Sequence, residues 1–137
     1  MYKKILLHTT AHPRHLFAID GAGALLSALL LALVLPAVQH LIGMPRPALY
    51  LLAAFPILFA SYDAWCYLRL RRPHAPYLRM IGTANLLYCA LSVGLLIYHF
   101  HLLTPIGMAY FMGELLIVLF LAILELRTAT TLNTTQA

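Results

Sequence analysis

Three carboxyls stand where a carboxyl is costly. Asp20, Asp63 and Glu114 each interrupt a long apolar stretch. On insertion scales, a charge at the centre of a membrane helix costs about 2.5–3.5 kcal/mol. An acid in that setting needs a partner or a proton, or it is there to bind something. Helical spacing defines the company each acid keeps. Asp20 shares a face with Gly23, Ala24, Ser27 and Ala28, and Asp63 with Phe59, Ala60 and Tyr67. Glu114 follows Gly107, Tyr110 and Phe111 on its own face. A further stripe, Gly82, Asn85, Tyr88, Cys89 and Ser92, is the most polar in the chain. The chemistry open to such groups is proton transfer, or polar binding inside a bilayer. Asp20, Asp63, Asn85, Tyr88, Tyr110 and Glu114 are therefore the candidate site residues, and no catalytic set is assigned.

The elements that must position them are membrane spans. Of 137 residues, 63% are hydrophobic and 9% charged, against roughly 25% charged in a soluble domain. So few charges cannot cover a water-facing surface. Apolar runs at about 16–42, 47–70, 77–100 and 105–126 each exceed the roughly 20 residues that cross a hydrocarbon core as a helix. They are too long and too continuously apolar for barrel strands, which alternate. The run from Leu16 is also too long for a signal-peptide core and reads as a retained first span. Short connectors make consecutive helices antiparallel neighbours. Gly43 serves as a stop and Pro47 sits in a first turn; Thr104 is a natural N-cap before Pro105. The expected fold is an all-α membrane protein, an up-down bundle of four transmembrane helices with no soluble domain. Pro36 and Pro56, inside spans, should kink their helices. An Ala24, Ala28 and Ala32 ladder should let two helices approach closely. The Thr-rich C-terminal tail reads as frayed.

Charge sets the orientation. Lys3, Lys4, Arg14, Arg69, Arg71, Arg72, Arg79 and Arg127 fall on one side, and only Arg46 on the other. The positive-inside rule puts both termini in the cytoplasm, with an inner (plasma) membrane as the expected location. Counting from that side at 1.5 Å per residue puts Asp20 about 6 Å deep, Asp63 and Asn85 about 10 Å, and Glu114 about 18 Å, near the midplane. If the stripes converge, they line one polar path open to the cytoplasm. Plainer roles compete. Asp20 suits the positive end of a helix and could pair with Arg79 or Arg69, and Asp63 with Arg79. Glu114 is too deep for an arginine, so it is expected to be neutral and hydrogen-bonded to Tyr110, Tyr88 or Asn85. Glu125, beside Arg127, reads as a solvated interfacial acid.

Other residues carry weaker signals. His40, His99 and His101 gather at the outer end and are candidate metal or haem ligands, although HxH alone is a weak pattern. His8, His12 and His15 are interrupted by Pro13, which disfavours a helical metal face. Cys66 and Cys89 form no CxxC pair and read as small packing residues. No phosphate loop, nucleophile elbow or HExxH motif occurs. The net charge of +5 flanks the spans and forms no basic face, which excludes nucleic acid as a partner.

The stretches IDGAGALLSALLLALVLP and IGTANLLYC resemble small four-span bacterial membrane proteins of unassigned function. That resemblance implies the same topology and no activity. The leading expectation is a non-enzymatic accessory or structural membrane component. It would require no cofactor, and its partners would be the bilayer and another copy or membrane protein. One alternative is a proton-linked transporter or channel for a small solute that uses Glu114 and its polar neighbours. Another is a membrane redox or lipid-modifying enzyme subunit.

Overall fold

A computed structural model describes residues 1–70 and 75–136, with side chains as far as Thr134. Arg71, Arg72, Pro73 and His74, whose charges and proline mark the second connector, lie outside the described residues. The chain forms α1 (Tyr2–Ala11), α2 (Arg14–Ala37), a single turn α3 (Gln39–Ile42), α4 (Arg46–Arg69), α5 (Ala75–Tyr98) and α6 (Pro105–Gln136). Four of these helices, α2, α4, α5 and α6, are long and apolar enough to cross a membrane. Their exteriors stay apolar: Leu33, Leu58, Leu87 and Leu116 are each more than three-fifths exposed. Such a surface suits lipid as its solvent.

Helices α2 and α4 pack along their lengths, as do α5 and α6, while α2 meets α6 much more sparingly. Leu31, Leu49, Leu52 and Phe111 centre one core region, and Leu16, Phe17, Leu78 and Ile81 the other. Ala28 is buried as the small-residue ladder requires, and Ala32 packs against the first core region, but Ala24 lines a cavity instead.

Proline shapes α2. Pro36 has no N–H, and its ring crowds the carbonyl four residues back. The helix answers with a π turn at Leu30–Val34 and breaks at Val38, where φ is −113°. Pro56 sits inside a continuous α4.

The loops that join α3 to α4 and α5 to α6 interlock. Gly43 has φ +90°, and a Cβ there would lie 2.0 Å from the Leu102 carbonyl oxygen. The Thr104 amide donates to the Ile42 carbonyl at 3.1 Å, and its hydroxyl donates to the Leu41 carbonyl. The same hydroxyl accepts from the Gly107 amide at 3.0 Å, the bond expected of an N-cap.

One expectation fails at the other end. The Thr-rich tail is helical, and α6 runs on to Gln136. What holds it is α1, which packs against it. The hydroxyls of Thr9 and Thr128, both buried, bond at 3.0 Å, and the Arg127 guanidinium lies over the Tyr2 ring. Amphipathic contact with α1 replaces the fraying that polar composition alone suggests.

Candidate functional site

Helices α2, α4, α5 and α6 enclose a cavity of about 370 Å³. Asp20, Ser27, Asn85, Tyr88, Tyr110 and Glu114 all line it, together with Phe59, Leu121 and other apolar side chains. Five of the six residues chosen from the sequence thus converge on one space. The sixth, Asp63, does not line it. It borders a separate groove between α2 and α4, where Gly21 allows close approach: a Cβ on Gly21 would lie 3.1 Å from that of Asp63.

On the wall formed by α5 and α6, the Tyr88 hydroxyl donates to Glu114 Oε1 at 3.1 Å. Glu114 is 8% exposed and Tyr88 3%. Phe59 meets the Tyr88 ring edge-on at 6.0 Å between centroids. Aromatic packing fixes the phenol, and the phenol fixes the carboxyl. This is one of the partners expected for Glu114.

Towards the α1 end lies a second polar group. The Asn85 amide nitrogen donates to Asp20 at 3.2 Å and to Glu125 at 3.1 Å. Asp63 and Glu125 both stand within hydrogen-bonding reach of Asp20. Among the described residues, neither Asp63 oxygen, nor Glu125 Oε1, receives a bond from an amide, hydroxyl or guanidinium. A carboxyl can bond another carboxyl only when one of them carries the proton. Two acids therefore share one amide, and a third stands beside Asp20, with no bonded cation among the described residues.

Glu125 is the residue that sequence reading misplaced. It is fully buried, not solvated beside Arg127, because α6 continues past it and α1 covers that continuation. A signal was present: Glu114 and Glu125 are eleven residues apart, three helical turns, which puts them on one stripe. The expected arginine partners are also absent from the acids. Arg69 and Arg79 are exposed, and Arg14 is engaged elsewhere, donating to the Tyr67 carbonyl and lying 4.2 Å over its ring.

The stripe on α5 is buried at Gly82, Asn85, Tyr88 and Ser92. Gly82 sets the spacing to α6, since a Cβ there would come within 2.9 Å of Leu126. Among the described residues, no three or more His, Cys, Asp or Glu side chains, His40, His99 and His101 included, are grouped as a metal site would need. The rings of His8, His12 and His15 do pack on one another, 5.3–5.6 Å apart, at the α1–α2 turn.

Fold and site together define a class, a multi-pass helical membrane protein with an acid-lined cavity between its spans. Comparison with protein-family models, with curated proteins and with solved structures returned no match in any of the three.

Proposed function

We propose that this protein is a proton-linked carrier for a small solute, with Glu114 as the group that exchanges the proton. It is placed in the inner (plasma) membrane as an up-down bundle with both termini cytoplasmic, as the lysine and arginine distribution supports. The observation that carries the reading is the convergence of Glu114, Tyr88, Tyr110, Asn85 and Asp20 on one cavity inside the spans. An acid that serves only to join helices needs no cavity beside it. A carrier needs both, since its proton and its solute must reach the same place. The Asp20–Asp63–Glu125 group lies between Glu114 and the α1 end of the bundle and supplies carboxyls along that route.

The competing reading is an accessory or structural component whose acids only pack. Infrared difference spectroscopy on the protein in liposomes separates the two. In the carrier, a protonated carboxyl band is expected to disappear in alkaline buffer and return in acid, and Glu114→Gln is expected to remove that band while preserving helix content. A spectrum that Glu114→Gln leaves unchanged overturns the carrier reading and returns the protein to the structural class.

A further inference from the structure

The cavity lining reaches the outer surface of the bundle on α2 and α6, the surface that would face lipid. Its mouth lies between α2 and α6, which meet only sparingly. Leu26 on α2 and Ile117 on α6 line the cavity, yet are 59% and 63% exposed on the outer surface. Small residues keep the mouth wide. Gly23 and Gly113 both line it, and a Cβ built on either would meet nothing within 4 Å. Behind this apolar entrance the ionisable groups are of one sign: Asp20 and Glu114 are the acids of the lining, and among the described residues no lysine, arginine or histidine lines it. Aromatic rings, Phe59, Tyr88 and Tyr110, complete the inner wall. A volume of about 370 Å³ is at the small end of ligand pockets, which run from about 300 to 1,000 Å³.

Each element of this arrangement selects against a class of ligand. An anion would face carboxyls with no compensating cation. A strongly hydrophilic solute would have no route through the leucines at the mouth. A neutral apolar molecule would bring the acids no counter-charge. What satisfies all three is a cation with an apolar tail, whose charge is also attracted by aromatic faces.

Resting on the carrier reading above, we propose that the cleft between α2 and α6 takes a single-chain amphiphilic amine from the bilayer, its ammonium pairing with Glu114 and its tail lying along Leu26, Leu30 and Ile117. The step balances. A protonated Glu114 gives up its proton, by way of the Asp20 and Glu125 carboxyls around Asn85, to water at the α1 end as the ammonium arrives, and the carboxylate left behind pairs with that ammonium. One cation enters for each proton that leaves, and the charge of the site is unchanged.

The test uses the full chain in phosphatidylcholine nanodiscs, with empty nanodiscs as the blank, and decylamine as probe. Calorimetry in buffers of different ionisation enthalpy counts the protons. Saturable binding is expected, with about one proton released per amine bound. Decanol and decyl sulfate are expected to bind at least tenfold more weakly, and Glu114→Gln to weaken decylamine by on the order of tenfold or more. Gly113→Leu supplies the independent check. It fills open space with a better helix former, so the bundle should fold as well as the parent while the mouth is closed to the amine. Decanol binding as tightly as decylamine, or Gly113→Leu binding decylamine normally, overturns the proposal. So does the absence of saturable decylamine binding. In that case the infrared band still decides the carrier reading: present and removed by Glu114→Gln, the carrier stands and the substrate class is wrong; insensitive to that change, both fall together.

Discussion

Tyr88 on α5 donates a 3.1 Å hydrogen bond to Glu114 on α6, and both side chains are buried on the wall of the same cavity. The bond joins two helices already packed closely, so it serves position more than cohesion. Tyr88→Phe removes the hydroxyl and keeps the ring against Phe59. It should lower stability by about 1–2 kcal/mol, since a buried acceptor loses its donor. Glu114→Gln should cost less, because the glutamine oxygen can accept the same bond. Thermal denaturation in detergent measures both, and a larger loss for Glu114→Gln would show that the carboxyl does structural duty elsewhere.

Asn85 is the shared donor of Asp20 and Glu125. Asn85→Leu strands both acids and should destabilise the bundle by about 2–3 kcal/mol. A near-neutral result in the same melting experiment would mean that the acids find other partners.

Asp63 gives the opposite expectation. Among the described residues, neither of its oxygens receives a bond from a conventional donor. Asp63→Asn keeps the shape and brings an N–H group towards Asp20, so it should stabilise the fold by about 1–2 kcal/mol. A gain in stability together with a loss of proton exchange would mark a residue retained for function at the expense of stability. A fall in melting temperature would show that Asp63 is already well satisfied.

The interlocked loops tolerate no side chain. Gly43→Ala and Gly107→Ala would place a Cβ 2.0 and 2.2 Å from carbonyl oxygens of the opposing loop, and each should cost more than about 2 kcal/mol. Gly94→Ala, with nothing within 4 Å of its Cβ, is the control and should be harmless. Yields of folded protein on size-exclusion chromatography compare the three, and equal yields would mean that the loops part easily.

Orientation has its own experiment. Reporter fusions at Ala137 and beside Arg46 should report opposite sides of the membrane, with the C-terminal fusion active in the cytoplasm. Cytoplasmic activity for the fusion beside Arg46 reverses the orientation.

The four apolar helices were legible because length and hydropathy decide them, and the convergence of Asp20, Asn85, Tyr88, Tyr110 and Glu114 was legible because helical periodicity puts each on an inward stripe. What stayed hidden depends on contacts distant in sequence. Glu125 looks interfacial until α1 is known to fold back over the end of α6, and the ten residues of α1 are too polar for a span and too short to predict with assurance as an isolated helix. Asp63 looks like the partner of an arginine, because sequence shows which charges are near along the chain and not which way they turn. The gap between α2 and α6 has no signature in either helix alone; only the two glycines, Gly23 and Gly113, hint that those faces leave room.

The π turn at Leu30–Val34 makes α2 two aimed pieces joined by a swivel. The piece before it points Asp20 and Ser27 into the cavity, and the piece after it points Leu35 into the core with α4. One extra residue in a turn accounts for the difference in aim, about 100° around the helix axis. Deleting a single leucine within the turn would restore a regular helix and rotate one piece against the other by that angle. Either the acid would leave the cavity or the leucine would leave the core. The irregular turn is therefore the element that lets one continuous span serve a polar site at one end and an apolar core at the other.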